Sequence, residues 1–104
     1  MILNKDNFKQ EVEESAGLVL VDFFAPWCGP CQMMLPIVEQ TAEENKDPAV
    51  KIGKLNIDEA QDIAVKYNVM SVPSFLLFKN GELVNRITGY CSKEELEQML
   101  ARSR

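Results

Sequence analysis

Residues 18–31 read LVLVDFFAPWCGPC and join an apolar run to two cysteines that are one helical turn apart. The first part, Leu18–Phe24, is almost continuously apolar and rich in β-branched and aromatic side chains. Such a run is typical of a strand that is buried on both faces of a sheet covered by helices. Two thiols at C-x-x-C spacing can close into a disulfide and open again without a large backbone movement. Beside a βαβ pattern, this spacing indicates a redox-active dithiol.

Helices are predicted on both sides of this strand. Asn4 can cap a first helix over residues 5–15, and Gly17 can end it. The apolar stripe of that helix comprises Phe8, Val12 and Ala16. A longer helical pattern follows the cysteines to about Asn45. Pro36 lies inside it and should produce a kink, because proline removes one backbone hydrogen bond.

The second half of the chain predicts a strand, a short helix and a hairpin. Residues 50–57 alternate between apolar and polar, as expected of a second central strand. Residues 59–67 can form a short helix. Asn80-Gly81 is the strongest short hairpin signal in the chain. The two segments that flank this dipeptide are residues 74–78 and 82–88.

A last helix and a short first strand complete the predicted order. Ser92 and Glu95 have the spacing of a capping box that opens the last helix. From Leu18 onward the order is β-α-β-α-β-β-α, preceded by the first helix and, if Ile2-Leu3 pairs, by an edge strand. This order predicts an α/β fold with a central mixed sheet sandwiched by helices. The length suits a single domain over residues 1–104.

Composition narrows the classes of function. The chain has a net charge of −5 with scattered basic residues, so we expect no nucleic-acid partner. It contains no histidine, which removes Cys-His pairs, Ser-His-Asp triads and histidine zinc ligands. The N-terminal residues lack the apolar core of a signal peptide, and no apolar run approaches the roughly 18 residues of a membrane span. We therefore expect a cytoplasmic protein with no membrane partner, although removal of a leader would leave the same sequence.

The two cysteines should differ in reactivity. Cys28 lies where the strand ends and the helix begins, and unpaired N–H groups at a helix N-terminus stabilise a thiolate. Cys28 is therefore the expected nucleophile, and Cys31, on the same face but deeper, is expected to resolve the mixed disulfide. Pro30 presets the backbone for the helix start, and Gly29 permits a tight approach. Half of a zinc site is the rival interpretation, but Cys91 alone remains as a further thiolate ligand.

Three other residues each have two possible roles when judged from the sequence alone. Asp22 is a carboxylate inside an apolar strand, where desolvation should raise its pKa. It is either a general base that deprotonates Cys31 or a carboxylate that pairs with a lysine. Lys54 is a candidate partner for it or an exposed strand lysine. Cys91 is either a small semi-buried apolar residue or a site of regulatory disulfide formation.

The sequence from Asp22 to Cys31 resembles the active-site segment of the thioredoxin family. The resemblance extends over nearly the whole chain, and W-C-G-P-C followed at a distance by V-P is a highly specific combination. The further matching positions are Pro36, residues 54–58, residues 72–75, residues 78–81 and Gly89.

This resemblance implies the thioredoxin fold and reduction of protein disulfides. It implies electrons from NADPH through a flavin-dependent thioredoxin reductase, with no cofactor bound to the chain itself. It also implies that Lys54 is the partner of Asp22 and that the peptide bond before Pro73 is cis. The implied substrate groove beside Cys28 comprises Trp27, Gly29, Pro30, Val72, Pro73 and Gly89. The implied partners are the reductase and disulfide-containing client proteins, and we expect a monomer.

The direction of electron flow is a separate question, because one fold carries reductants, oxidants and isomerases. Strong oxidants over-stabilise the thiolate of the nucleophile, often with a histidine between the cysteines. Gly29-Pro30 adds no charge there, which favours a reductant. The alternatives are an exported thiol oxidant or isomerase and a binding subunit that acts independently of redox state.

Overall fold

The computed structural model describes all 104 residues and contains one five-stranded mixed sheet. Its strands are β1 (Ile2–Leu3), β2 (Leu18–Phe24), β3 (Val50–Asn56), β4 (Ser74–Lys79) and β5 (Glu82–Thr88). They lie in the order β1-β3-β2-β4-β5, with β1 and β2 parallel to β3. β4 is antiparallel to β2, and β5 is antiparallel to β4. The predicted mixed sheet is confirmed, including its two-residue edge strand.

Helices cover both faces of the sheet. The regular helices are α1 (Gly29–Glu44), α2 (Gln61–Lys66) and α3 (Lys93–Ser103). One face of the sheet packs against α1 and α3 through a cluster that includes Leu20, Met34, Val38, Phe75, Leu96 and Met99. The other face packs against the N-terminal helical turn and α2 through Phe8, Val12, Val21, Phe23, Leu76 and Phe78. Because successive strand residues point to opposite faces, β2 contributes to both clusters. The sandwiched architecture is therefore confirmed.

The first helix is shorter than predicted. Asn4 does cap the segment, since its side-chain oxygen accepts the backbone N–H groups of Asp6 and Asn7. Regular helix, however, is confined to Lys9–Glu13, a single wide turn of π-helix. Ala16 is exposed rather than part of the apolar stripe, so that prediction was wrong. The chain has already left the helix there and turns into β2 at Gly17, whose φ of +82° favours glycine.

The second short helix is also divided. Residues 57–59 form a 3₁₀ turn, and α2 begins only at Gln61, after Ala60 adopts a non-helical conformation. In contrast, α1 runs as one helix through Pro36.

The hairpin and the last helix form as their local signals predict. Asn80 and Gly81 both have positive φ, 50° and 85°, as a tight hairpin turn requires. The capping box is complete, since Ser92 and Glu95 each bind the backbone of the other. No helix combines the length and apolar character needed to cross a membrane.

Candidate active site

Cys28 and Cys31 lie at the start of α1, immediately beyond β2, and form a disulfide. Their Cα atoms are 5.2 Å apart, a separation that a disulfide spans without backbone movement. Cys28 is the N-cap of the helix, and its Sγ accepts the backbone N–H of Cys31 at 3.2 Å. Pro30 occupies the first helical turn, where a missing backbone donor is not needed. The local sequence therefore starts the helix at the reactive sulfurs.

The environments of the two sulfurs differ. Cys28 retains 6% of its surface exposed, whereas Cys31 is fully buried at 0%. The Sγ of Cys28 lies 3.6 Å from the backbone carbonyl oxygen of Val72. In the reduced state, the N–H of Cys31 and the positive end of the α1 dipole would stabilise a thiolate at Cys28. The outer sulfur is thus both the more accessible and the better supported as an anion.

Asp22 is buried in the middle of the sheet with 1% of its surface exposed. Neither of its carboxylate oxygens has a hydrogen-bond partner. Burial raises the pKa of Asp22 from 3.8 to about 7, and the positive charge of Lys54 opposes this rise. The carboxyl group therefore exchanges protons near neutral pH, as its place in an apolar strand predicts.

The side chain of Asp22 faces α1. It follows Leu20 by two residues on β2, so both point to the same face of the sheet. Leu20 packs in one cluster with Met34, which follows the buried Cys31 by three residues on α1. Asp22 is one pleat closer than Leu20 to the end of β2 from which α1 begins. This geometry places the buried carboxyl group on the sheet face that α1 covers, toward the end of β2 that leads to the cysteines.

Lys54 is the register neighbour of Asp22 on the parallel strand β3. Adjacent residues in register share a sheet face, so the ammonium group is on the same side as the carboxyl group. No hydrogen bond joins the two side chains. Lys54 therefore acts on Asp22 through its charge rather than through direct contact.

An open groove of about 300 Å³ is lined by Trp27, the residue before Cys28, and by Val72, whose carbonyl oxygen is 3.6 Å from the Cys28 sulfur. Its walls are mostly apolar and comprise Trp27, Ile57, Val69, Met70, Ser71 and Val72. The indole of Trp27 is 71% exposed, and its Nε1 donates to the Asp58 carboxylate at 3.2 Å. This bond holds the indole at the groove while most of its surface stays exposed.

Each remaining residue of the predicted site lies within two positions of Cys28 or Val72 in the chain, or is hydrogen-bonded to a residue that does. The Val72–Pro73 peptide bond is cis, as the resemblance implies. The backbone N–H of Gly89 donates to the carbonyl oxygen of Pro73 at 2.8 Å, which brings the end of β5 next to that proline. Gly29 and Pro30 are exposed at the start of α1, and the space beside Gly29 is open.

Several groove residues were not identified from the sequence. Val69 and Met70 come from the segment between α2 and β4, which meets Trp27 only in the folded chain, and Asp58, which binds the Trp27 indole, comes from the turn after β3. The one available signal was an apolar methionine in the loop before Val72-Pro73. The side-chain amide of Gln32 donates to the carbonyl oxygen of Pro26 at 3.2 Å, which ties the loop before Cys28 to α1.

Cys91 lies away from the groove, buried in the core between the sheet and the helices α1 and α3. Burial, together with the nearby carboxylates of Glu95 and Asp22, raises the pKa of the Cys91 thiol from 9.0 to about 11. The structure therefore supports the interpretation of Cys91 as a small buried apolar residue. No group of three cysteine, aspartate or glutamate side chains is arranged to hold a metal ion.

Comparison with known proteins agrees with the site geometry. The thioredoxin family model matches residues 1–102. The chain is 45% identical to thioredoxin of Alicyclobacillus acidocaldarius over 101 residues, which cover 97% of this chain and 94% of the relative. It is 48% identical to thioredoxin of Chlamydia pneumoniae over 99 residues (95% and 93%) and 47% identical to thioredoxin of Bacillus subtilis over 88 residues (85% and 84%). With its C-x-x-C pair at the start of α1, the chain belongs to the thioredoxin family of thiol-disulfide oxidoreductases.

Proposed function

We propose that the protein is a general protein-disulfide reductase in which Cys28 attacks the substrate and Cys31 resolves the intermediate. The observation that carries this proposal is the asymmetry of the pair at the helix start. Cys28 is the partly exposed N-cap whose sulfur accepts a backbone N–H, and Cys31 is completely buried one turn further on. A client disulfide can reach the first sulfur and not the second.

The electron balance of the reaction follows from thiol exchange. The Cys28 thiolate attacks one sulfur of the client, which breaks the client disulfide and releases one client thiolate. Cys31 then attacks the Sγ of Cys28 in the mixed disulfide and releases the second client thiolate. Two electrons have passed to the client, and the protein is left with the Cys28–Cys31 disulfide that the structure contains.

Asp22 is proposed to accept the proton of Cys31 during the second step. Cys31 is buried, so bulk water cannot take its proton directly. With a pKa raised by burial to about 7, Asp22 is partly ionised at neutral pH and basic enough to take up a proton. The charge of Lys54 on the neighbouring strand would limit the rise of that pKa and keep the carboxylate populated.

The groove is proposed to hold the client segment that flanks its disulfide. In the mixed disulfide the client is covalently joined to Cys28, so its adjoining residues must lie against the walls nearest that sulfur. Those walls are the indole of Trp27 and the loop that ends at Val72 and Pro73. The mostly apolar groove would accept many sequences, which suits a general reductant.

The reduced state is proposed to be restored by a flavin-dependent thioredoxin reductase that draws on NADPH. We infer that the protein works as a monomer in the cytoplasm, where reductases of this type keep thiols reduced. The family membership supports the proposed reductase partner.

Reduction of insulin disulfides tests the proposal. The protein with dithiothreitol, or with NADPH and a thioredoxin reductase, should precipitate the free insulin B chain at a rate well above the uncatalysed one. Cys28→Ser should abolish the activity because it removes the attacking sulfur. Cys31→Ser should accumulate a mixed disulfide between Cys28 and insulin, which mass spectrometry of the alkylated complex would identify.

The serine variants also test the assigned mechanism, and the unmodified protein tests one rival. Cys91→Ser is the matched control, since it makes the same replacement at the one cysteine outside the Cys28–Cys31 pair, and it should keep the turnover. Undiminished turnover in Cys28→Ser would refute the assigned mechanism. A protein that folds but reduces no insulin would point to a redox-independent binding subunit.

A further inference from the structure

Met70 is the most exposed large apolar side chain in the molecule, and nothing assigned so far explains it. It is 89% exposed, in the loop between α2 and β4. It forms part of the groove wall that also includes Trp27 and Val72, and the carbonyl oxygen of Val72 is 3.6 Å from the Cys28 sulfur. An unbranched thioether in this place offers a soft apolar contact to a client and is open to dissolved oxidants.

The five methionines of the chain divide into three kinds. Met34 and Met99 are buried in the core and shielded from solvent. Met1 and Met33 are exposed but contribute nothing to the groove, and Met33 is 62% exposed on α1. Met70 alone is both exposed and part of the groove. Oxidation of the exposed methionines therefore changes the groove wall at Met70 only.

We propose that Met70 is a modification site at which peroxide oxidation of the thioether weakens the docking of client proteins. This inference rests on the proposed function, because it assumes that the groove beside Cys28 holds the client. It makes client affinity, as well as the state of the two cysteines, sensitive to oxidants.

The reaction is an oxygen-atom transfer with hydrogen peroxide as the oxidant. A lone pair of the Met70 sulfur attacks one peroxide oxygen, an S–O bond forms, the O–O bond breaks, and water leaves. The sulfur is oxidised by two electrons, and the peroxide is reduced by two. The product is a polar sulfoxide, which replaces an apolar side chain in the groove wall. Burying a polar S=O against an apolar client segment without a hydrogen-bond donor is unfavourable, so binding weakens while the cysteines remain intact.

The test begins with the disulfide form of the protein. In that form Cys28 and Cys31 are protected from peroxide as a disulfide. Cys91 is protected by burial. After treatment and removal of the peroxide, peptide mass spectrometry should find one added oxygen atom on Met70. The dithiothreitol-driven reduction of insulin should then show a KM increased about tenfold, which corresponds to 1.4 kcal/mol of lost docking. The rate with bis(2-hydroxyethyl) disulfide, a small neutral substrate that does not fill the groove, should not change.

Two leucine variants show which methionine causes the increase in KM after peroxide treatment. Met70→Leu keeps an apolar side chain of similar size that peroxide cannot oxidise, so its KM should be the same before and after treatment. Met33→Leu removes an exposed methionine from outside the groove, and it should lose affinity on treatment as the wild type does. An equal loss in Met70→Leu, or an unchanged KM in wild type that carries the Met70 sulfoxide, would overturn the inference.

Failure of the proposed function gives a different result. If untreated protein does not reduce insulin, or if Cys28→Ser is fully active, the reductase proposal itself is wrong. If untreated protein is an active reductase and peroxide treatment leaves its KM unchanged, only the role of Met70 is refuted.

Discussion

Replacing Asp22 with asparagine should raise the free energy of unfolding, and the gain should increase with pH. Burial raises the pKa of this carboxyl group from 3.8 to about 7, so the folded state holds the proton more tightly than the unfolded state. Below the unfolded-state pKa the group is protonated in both states, and it costs the folded protein no stability. As the pH rises the cost grows, and it is complete once the pH has passed through about 7 and the folded protein is ionised as well. Three pKa units correspond to about 4 kcal/mol, which is the cost of the ionised group in the folded protein above neutral pH.

The assay is urea unfolding of the disulfide forms of wild type and Asp22→Asn between about pH 5 and 8. Part of the cost of ionising Asp22 is already present at the lowest pH of this range. The difference in free energy of unfolding between wild type and Asp22→Asn should therefore widen by about 3 kcal/mol across the range. Asparagine leaves a buried amide without partners, but that penalty does not depend on pH. Asp62→Asn on the exposed side of α2 is the matched control for the loss of one negative charge. A constant difference for Asp22→Asn would show that the carboxylate is not desolvated and would refute the reasoning.

Three further results are expected from individual residues. Asp22→Asn should slow the attack of Cys31 on the mixed disulfide by about a hundredfold at neutral pH, which is the lower end of the effect of a positioned base. Stopped-flow rates equal to those of wild type between about pH 6 and 9 would contradict the role of Asp22. Cys91, buried and with its pKa raised by burial to about 11, should react with iodoacetamide at neutral pH only after denaturant is added, and rapid labelling of the folded protein would show that it is accessible. Ser92→Ala should lower the free energy of unfolding by about 1 kcal/mol because it breaks the capping box with Glu95, and an unchanged urea midpoint would show that the box adds no stability.

The parts of the fold that were predictable depend on local signals. The apolar run Leu18–Phe24 identified the central strand because it is buried on both faces. Asn80-Gly81 identified the hairpin, and Ser92 with Glu95 identified the start of α3. Asp22 was recognisable as unusual because a carboxylate in an apolar strand has a desolvation cost wherever the strand lies in the fold.

The parts that were missed depend on contacts between distant segments or on backbone detail. An apolar stripe cannot distinguish an α-helix from the wide turn at Lys9–Glu13, because both bring Phe8 and Val12 to one side. The groove joins Trp27 to Val69 and Met70, more than 40 residues away in the sequence, and no periodic pattern reports such a pairing. Propensity and spacing describe neighbours along the chain, whereas the groove is a product of the sheet order.

The direction of electron transfer is the central claim, and the equilibrium between this protein and glutathione tests it most directly. The protein would be equilibrated with defined ratios of reduced and oxidised glutathione, and the Cys28–Cys31 pair followed by acid quenching and thiol alkylation. Trp27 is the only tryptophan and lies beside the pair, so its fluorescence gives a second readout. A reductant should have a lower reduction potential than glutathione. At equal concentrations of the protein couple and the glutathione couple, the Cys28–Cys31 pair should then be mainly in its disulfide form. A pair that is mainly dithiol under those conditions would mark an oxidant or isomerase and contradict the account.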